Sequence, residues 1–407
     1  MIKQLLADID RGSKSALNKK KILAYFMNNQ SSTVPDLAKA LDLSIPTVTK
    51  IIGEMCEEGY VISYGKLETG EGRPPTVYGL NREAGYFVGV DIKKFTLNIA
   101  LMNFTGDMVQ TEMDIPCSLE NTAEGLTELC NYTTRFIEST GIDRNKILNI
   151  CINISGRVNP ESGYSYSWFN FEERPLAEVL TERLGYTVSI DNDTRAMTYA
   201  ELIKGAAHGI KDAMYINISW GLGAGLIIDG KVYPGKSGFS GEIGHFIVFD
   251  NEILCHCGKR GCLETEVSGE ALHRSLLQAV HEGRKSILSD RILHGESPLT
   301  LNEIVEAINK EDLLCIELIE EIGQKLGRYL AGFINVLNPA LVVIGGVLAQ
   351  TGDYILLPIR SAMRKYSLNL VNKDTEIVVT KLQEKAGTVG ACLLARSRIF
   401  FTPGETY

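Results

Sequence analysis

The first 80 residues space their apolar positions as three short helices followed by two strands. Apolar residues three and four apart predict the helices, in the segments 16–28, 34–41 and 45–58. Thr33 and Ser44 precede the second and third helices as N-caps, and the apolar faces include Leu17 and Ala40. Strands are predicted on either side of a connection rich in glycine and proline, at 60–66 and 76–80. Three helices with a tight turn between the last two, followed by a hairpin, predict a winged helix-turn-helix.

From residue 86 onward the chain alternates strand and helix patterns in two blocks. Three successive strands are predicted between residues 86 and 116, and a helix is predicted at about 121–140. This alternation, which continues to the end of the chain, is typical of the α/β class. We expect a winged helix, a first lobe completed by the end of the chain, and a second lobe, over residues 1–80, 86–195 with about 385–407, and 196–384.

The charge of the chain is unevenly spread. The formal net charge of −9 over 407 residues would by itself oppose contact with nucleic acid. Residues 1–80 carry ten basic and nine acidic side chains, so the remainder of the chain carries −10. Any DNA contact is therefore expected in the first segment. Because the sequence shows neither a signal pattern nor an apolar run of about 18 residues, it predicts a cytoplasmic protein without a membrane partner.

The predicted third helix places short polar and basic side chains at its N-terminal end, where recognition helices meet base edges and phosphates. These side chains are Thr47, Thr49 and Lys50, and the N-cap Ser44 can put its hydroxyl against a phosphate. Arg73, in the predicted wing, can enter a minor groove. The sequence thus predicts that these residues bind DNA. The alternative is a three-helix module that binds another protein.

A cluster of cysteines predicts a metal site. Cys255, Cys257 and Cys262 lie within eight residues, and in a reducing compartment such a cluster binds metal rather than forming disulfides. Zinc takes four tetrahedral ligands, and His256 between two of the cysteines is expected to point away, which favours His245 as the fourth ligand. The alternative is three buried thiols in a glycine-rich loop. The other six cysteines are expected to be buried small apolar residues: Cys56, Cys117, Cys130, Cys151, Cys315 and Cys392.

Polar residues in three separate segments form a candidate hydroxyl-binding site. Asp191, Asn192 and Asp193 end a predicted strand and precede a helix, and ligands of α/β sheets bind at such carboxyl ends. Glu242 lies three residues before the candidate metal-binding histidine, and Glu264 follows the cysteine cluster. A shared metal would draw these carboxylates together, where they can accept hydrogen bonds from a sugar. The alternative is N-capping by the aspartates and solvent exposure of the glutamates.

These motifs together resemble the ROK family, which is named for repressors, open reading frames and kinases. The resemblance is carried by GLGAGLIIDG, GFSGEIGH and CHCGKRGCLE within residues 86–407, and by the GEGRPP wing within residues 16–80. It implies an α/β actin-like ATPase (ribonuclease H-like) fold whose two lobes close on a sugar, preceded by the winged helix-turn-helix of the repressor branch. It also implies a structural Zn²⁺ on His245, Cys255, Cys257 and Cys262, and sugar contacts from Asn192, Asp193, Glu242, His245 and Glu264.

Two departures from the kinases of the family argue against ATP as a cofactor. Kinases begin the domain with an Asp-x-Gly-Gly-Thr phosphate loop, whereas this chain has Lys93 and Lys94 in place of the glycines. The Cβ atoms of these lysines fill the space through which backbone N–H groups would approach a phosphate. The stretch 154–156 is Ile-Ser-Gly where kinases usually have Pro-Gly. The glycine-rich stretch 219–225 can still bring N–H groups to a phosphate, but glycine hairpins are common.

The sequence therefore favours a DNA-binding transcriptional regulator that responds to a sugar. The first hypothesis is a repressor, dimeric or tetrameric as its family implies, that a sugar or sugar phosphate releases from its operator DNA. The second hypothesis is an ATP-dependent sugar kinase in which Asp193, the match to the family's catalytic base, deprotonates the attacking hydroxyl. A third is a regulator whose ligand strengthens DNA binding. The missing phosphate glycines and the added helical module favour the non-enzymatic hypotheses.

Overall fold

The computed structural model describes residues 11–67, 74–295 and 299–401. Residues 11–67 and 74–80 form three helices and a three-stranded antiparallel sheet in the order β1-β3-β2. The elements are α1 Lys14–Asn29, β1 Ser31–Thr33, α2 Val34–Ala40, α3 Ile45–Glu57, β2 Val61–Lys66 and β3 Thr76–Leu80. As predicted, Thr33 caps α2 by accepting the N–H of Asp36, and Ser44 caps α3 by accepting the N–H of Thr47. Leu67 donates its N–H to Pro75 O at 3.0 Å at the base of the wing.

Two predictions about the apolar faces of these helices were wrong. Leu17 is 41% exposed, because it lies nine residues before the buried Phe26, about 180° around the helix axis. Ala40 is exposed at the end of α2, and Ala38 packs beside the buried Leu37 instead. Apolar residues at helical spacing therefore identified the helices, but not every member of the buried stripe.

An aromatic cluster packs the winged-helix segment against the sheet that follows it. Tyr60, at the end of the helical module, stacks on Phe104 with ring centroids 6.4 Å apart. Phe104 also contacts Phe87 of the next sheet and Phe400 of the last helix, at 6.3 and 5.3 Å. The backbone reinforces this contact, since Phe104 donates its N–H to Arg82 O at 3.3 Å. The cluster is buried, so it forms a continuous core between the two parts.

The first large sheet has five strands in the order β10-β7-β4-β5-β6. The strand β4 pairs antiparallel with β5 and parallel with β7, as expected for three successive strands followed by a crossover helix. The elements of this part of the chain are β4 Tyr86–Ile92, β5 Thr96–Asn103, β6 Met108–Pro116, α4 Ala123–Ser139, β7 Ile147–Ile154, β8 Val158–Asn159, β9 Tyr164–Ser165, α5 Leu176–Leu184 and β10 Val188–Asn192.

The second large sheet also has five strands, in the order β13-β12-β11-β14-β15. The strands β11 and β12 form the predicted hairpin, while β14 pairs parallel with both β11 and β15. The elements are α6 Asp193–Lys204, β11 Ala213–Ile218, β12 Leu222–Ile228, β13 Lys231–Val232, α7 Gly269–His281, α8 Ser289–His294, α9 Leu301–Asn309, α10 Leu313–Leu337, β14 Leu341–Gly345, α11 Asp353–Tyr366, α12 Asn369–Asp374, β15 Glu376–Val379 and α13 Ala386–Phe400.

The described chain divides into two compact units. The first comprises the described residues up to Ile154, then Pro160–Asp191 and residues 391–401. The second comprises Ser155–Asn159 and Asn192–Gly390.

None of the helices in the described ranges is both long and apolar enough to cross a bilayer. Five of the six isolated cysteines are buried as predicted, but Cys56 is only half-buried.

Candidate metal centre and hydroxyl-binding site

The second unit brings together the four residues predicted to bind a metal. One ligand atom from each of His245, Cys255, Cys257 and Cys262 lies within 4.8 Å of the others. Cys255 Sγ is 3.5 Å from His245 Nδ1, and Cys257 Sγ is 3.6 Å from Cys262 Sγ. His256 lies outside the cluster, with its Nε2 3.0 Å from Glu270 and its side chain 78% exposed.

Backbone turns that require glycine give the cluster its shape. Gly261 has a φ of 76° and lies against Phe249 O, so a Cβ there would meet backbone. Its carbonyl accepts the N–H of Val248 at 2.8 Å, which ties the cysteine loop to the segment after His245. Gly241, with a φ of 84°, passes equally close to Ala224 O of β12. The two contacts hold the histidine and the cysteines on neighbouring segments.

The surroundings of the cluster raise the pKa of two of its three thiols and lower that of the third. Burial raises the pKa of Cys255 to about 12, and burial also raises the pKa of Cys262. Burial alone would raise the pKa of Cys257 as well, but the N–H of Lys259 and the two neighbouring thiols lower it. A bound metal ion would favour the thiolate at all three positions, because the thiolate is the form that binds metal.

Two carboxylates flank this cluster. Glu242 Oε2 is 3.5 Å from His245 Nε2, on the side of the ring opposite the cysteines. Burial raises the pKa of Glu242, which the positive charge of His245 would counteract. Glu264 accepts the N–H of Leu222 at 2.9 Å with Oε2, and its Oε1 is 3.8 Å from Cys255 Sγ. Glu264 therefore joins the metal cluster to the glycine-rich hairpin that begins β12.

Asp193 opens α6 in the same unit. Its Oδ1 accepts the N–H of Thr194 at 2.7 Å and the side chain of Asn192 at 3.1 Å. Its Oδ2 accepts the hydroxyl of Ser155 at 2.7 Å. Burial raises the pKa of Asp193, and the bonds from Ser155 and Thr194 counteract that rise. The helix N-cap is Asn192, whose Oδ1 accepts the N–H of Arg195 at 2.9 Å.

Asp191 belongs to the first unit. It is fully buried and pairs with Arg398 at 2.7 Å, which explains its charge without a ligand. In the turn between β4 and β5, Lys93 Nζ lies 3.7 Å from Asp114, and Lys94 lies over the ring of Phe95 at 5.5 Å. The lysines that replace the phosphate-loop glycines thus have partners within their own unit.

The predicted DNA-binding face is exposed at the start of α3. Ser44 and Thr49 are exposed, Thr47 is half-buried, and the side chain of Lys50 is 80% exposed. The opposite face of the helix buries four apolar residues, Val48, Ile51, Ile52 and Met55. Thr49 donates its hydroxyl to Ile45 O at 2.8 Å. Arg73, the predicted wing contact, lies outside the described residues.

Sequence reasoning missed several residues that position these sites. Lys19 of α1 contacts Glu54 of α3 at 3.1 Å and Glu58, the C-cap of α3, at 2.6 Å, which holds α3 against α1. Ile45 is 54% exposed at the N-terminus of that helix, where an apolar side chain can contact a thymine methyl group. Arg195 is buried and donates to Gly238 O at 2.7 Å. An arginine at the predicted start of a helix indicates a structural role, but the sequence does not show that its partner is Gly238.

Comparisons with known proteins agree with this geometry. A model of the ROK family matches residues 87–398, and a model described as winged helix-turn-helix DNA-binding matches residues 17–62. The xylose repressor of Caldicellulosiruptor bescii is 28% identical over 394 residues, which are 95% of this chain and 97% of that protein.

Two solved structures are similar over long stretches. A ROK family transcriptional regulator, described as a homologue of the Escherichia coli Mlc protein, has a TM-score of 0.77 at 25% identity, over 94% of this chain and 97% of that chain. A ROK family glucokinase from Streptomyces griseus, solved with glucose and AMPPNP, has a TM-score of 0.67 at 27% identity, over 77% of this chain and 100% of that chain. The actin-like ATPase fold predicted from the sequence is confirmed. Because the family model covers most of its length, this chain belongs to the ROK family and begins with a winged helix-turn-helix.

Proposed function

We propose that this chain is a sugar-responsive transcriptional repressor that a sugar or sugar phosphate releases from its operator. The observation that carries the proposal is that one chain has an exposed polar face at the start of α3 and, in its second unit, a carboxylate beside four potential metal ligands. The similarity to the xylose repressor extends over both parts. A catalytic domain alone would not need the winged helix-turn-helix, and a DNA-binding module alone would not need the ROK domain.

The DNA-binding half of the proposal rests on charge and exposure. The N-terminal end of α3 offers Ser44, Thr47, Thr49 and Lys50 to a duplex, while its opposite face is buried. Short polar side chains at this end of a recognition helix meet base edges, and a lysine meets phosphate. We further propose a homodimer or homotetramer, because two such helices at a fixed spacing would recognise paired half-sites.

The ligand-binding half rests on convergent acceptors. Asp193, Glu242 and His245 interact electrostatically within the second unit, and Asn192 and Glu264 make hydrogen bonds beside them. Carboxylates and a histidine in such an arrangement can accept and donate hydrogen bonds to several hydroxyls of one sugar. Ligand binding shifts the operator affinity only as far as the ligand prefers one conformation of the chain over another.

We propose that the metal in the cluster is Zn²⁺ with a structural role. Two thiolates bound tetrahedrally at about 2.3 Å from zinc lie about 3.8 Å apart, and a thiolate and an imidazole nitrogen lie about 3.6 Å apart. The corresponding distances here are 3.6 Å for Cys257–Cys262 and 3.5 Å for Cys255–His245. Bound zinc would order the loop and fix the ring of His245, so that its Nε2 faces Glu242.

An ATP-dependent sugar kinase is the second candidate, because Asp193 stands where the related kinases have their catalytic base. Two observations weigh against it. Lys93 and Lys94 occupy the phosphate-loop positions with partners in their own unit. Asp193 already accepts hydrogen bonds on both carboxylate oxygens. Release of ADP with glucose, xylose or N-acetylglucosamine, abolished by Asp193→Asn, would establish the kinase instead.

The test of the proposed function begins with operator selection from a pool of random duplexes by the full chain. Affinity for the selected duplex is then measured by fluorescence anisotropy with and without xylose, glucose, N-acetylglucosamine and their phosphates. We expect one of these compounds to weaken binding at least tenfold. Lys50→Ala should lower the affinity and reduce the salt slope by about one, whereas the exposed Lys373→Ala should not. Failure to select any duplex would refute the DNA-binding half.

A further inference from the structure

Ser155 contacts one oxygen of the Asp193 carboxylate, Oδ2, although the two residues are 38 positions apart in the chain. Ser155 Oγ donates to Asp193 Oδ2 at 2.7 Å. The other oxygen, Oδ1, accepts the N–H of Thr194 at 2.7 Å and the amide of Asn192 at 3.1 Å. A carboxylate has about four lone-pair positions. Thr194 Oγ1 also lies 3.4 Å from Oδ1, so the chain itself fills the two positions of that oxygen, and one position remains on Oδ2 beside the bond from Ser155.

The segment that carries Ser155 is held in place by α6. Asn192 donates its side-chain amide to Gly156 O at 2.9 Å. Arg195, which is buried, donates to Val158 O at 3.4 Å and to Gly238 O at 2.7 Å. These bonds fix the backbone that follows Ser155 to the helix that begins with Asp193. Ser155 is exposed, but the anchored backbone next to it holds its hydroxyl beside the Asp193 carboxylate.

We propose that Ser155 is a specificity-determining residue, which fixes Asp193 as a hydrogen-bond acceptor for a ligand hydroxyl rather than as a proton-abstracting base. This inference rests on the proposed function, because it concerns the same hydroxyl-binding site. A donor to the ionised carboxylate stabilises the charged form and makes it a weaker base. The hydroxyl oxygen of Ser155 also retains lone pairs, so one ligand hydroxyl can bind between Ser155 and Asp193 Oδ2. The residue thus favours binding of a sugar over deprotonation of it.

Several charges face the Asp193 carboxylate and act alongside Ser155. Arg195 lies on the same helix, and its positive charge favours the ionised form of Asp193. Glu242, from the loop before the metal centre, interacts with Asp193 and with Arg157, which follows Ser155 along the chain. Burial raises the pKa of Asp193, and the hydroxyl of Ser155 is the largest influence that lowers it. Removing that hydroxyl should therefore raise the pKa further.

The direct test needs no ligand. The protein is labelled with ¹³C at the aspartate carboxyl carbon, and the Asp193 signal is assigned by its loss in Asp193→Asn. We expect Ser155→Ala to raise the pKa of Asp193 by about one unit, because a hydrogen bond to a charged group is lost. Ser155→Thr, which keeps the hydroxyl, should leave the pKa within a few tenths of the parent value. An unchanged pKa in Ser155→Ala would overturn the proposal.

A second measurement reports on binding. Calorimetric titrations with D-glucose, D-xylose and N-acetyl-D-glucosamine compare the parent chain, Ser155→Ala and Ser155→Thr between pH 5 and 8. For the sugar that the parent chain binds, Ser155→Ala should lose about tenfold in affinity and begin its acid decline at higher pH. Metal release at low pH acts on all three proteins alike, so only their difference is assigned to Ser155. Equal sugar affinities of the three proteins would contradict the inference. If the parent chain bound none of the sugars, the proposed sugar response would be refuted, and the ¹³C measurement alone would test the role of Ser155.

Discussion

Glu264 accepts the N–H of Leu222 at 2.9 Å while its second oxygen lies 3.8 Å from the sulfur of Cys255. One side chain thus joins the metal cluster to the strand that follows the glycine-rich hairpin. The charge of Glu264 also raises the pKa of the Cys255 thiol, which must lose its proton to bind a metal. A change of this carboxylate is therefore expected to act on both the hairpin and the metal ligands.

Substitution of Glu264 tests that link. Glu264→Ala removes a hydrogen bond to a charged acceptor, so we expect about 1.5–3 kcal/mol less stability. It also removes a negative charge beside the Cys255 sulfur, so the thiolate should form more readily and metal binding should not weaken. Glu264→Gln keeps an acceptor for the N–H of Leu222 and should recover most of the stability. Urea denaturation and competition with a chelator measure the two effects. Equal stability of the alanine variant and the parent chain would show that the carboxylate does not hold the hairpin.

Removal of a single thiol tests the metal centre itself. Cys257→Ser replaces a soft thiolate by a hydroxyl that does not ionise at neutral pH, so we expect the purified protein to lose most of its zinc. Cys56→Ser is the matched control, because Cys56 is half-buried and lies outside the cluster. Metal content by mass spectrometry and thermal unfolding with and without chelator give the readout. Full zinc occupancy in Cys257→Ser would exclude the proposed ligand set.

Because Lys19 contacts α3, we expect a substitution of Lys19 to change the affinity for DNA even if Lys19 itself does not contact DNA. Burial alone would lower the pKa of Lys19, but Glu58 and Glu54 outweigh it and raise it. Glu54 also lies 4.0 Å from the exposed Lys50. In Lys19→Met, Glu54 loses its buried partner and becomes free to neutralise Lys50, so we expect several-fold weaker binding to the selected duplex.

Two further variants separate this explanation from a general loss of structure. Lys19→Met combined with Glu54→Gln should restore much of the affinity, because the competing carboxylate is gone. The neighbouring Lys21 is exposed, and Lys21→Met removes the same charge without touching Glu54 or Glu58. Anisotropy titrations at two salt concentrations compare all the variants. If the double variant binds no better than Lys19→Met, competition for Lys50 is the wrong explanation.

Local patterns predicted much of this structure because they depend on neighbours in the chain. The caps at Thr33 and Ser44 lie three residues from the N–H groups they accept, and the spacing of the cysteines was enough to predict the metal cluster. Contacts between distant segments were not predicted. Ser155 with Asp193 and Lys19 with Glu58 are 38 and 39 residues apart, and only the folded backbone brings them together.

The same limit applies to the role given to each predicted residue. Asn192 and Glu264 were predicted as sugar contacts from motif positions. In the structure Asn192 caps α6, and Glu264 accepts a backbone N–H. Side-chain donors and acceptors that make hydrogen bonds within the fold are not available to a ligand. A sequence pattern does not show how many of them remain.

The N-cap of the longest helix predicts a pH dependence of stability. Asp312 precedes α10 and accepts the N–H groups of Cys315 at 2.9 Å and Ile287 at 2.7 Å. Burial alone would raise the pKa of Asp312, but these backbone donors outweigh it and lower it. A carboxyl whose pKa is lower in the folded state contributes stability above its unfolded pKa of about 3.9, and that contribution is lost as the pH falls through the folded value.

Asp312→Asn keeps an acceptor for one of the two N–H groups, removes the charge, and replaces the second oxygen by an NH₂ donor. We expect the variant to be about 1 kcal/mol less stable than the parent chain from pH 7 down to about pH 5. Below about pH 4 the gap should narrow, and it should close as the pH falls through the lowered folded pKa, where the parent carboxyl becomes protonated and resembles the amide. Urea denaturation of both proteins across this range measures the gap, and metal release at low pH affects both equally. A gap that stays constant down to pH 3 would show that the charge of Asp312 does not stabilise α10.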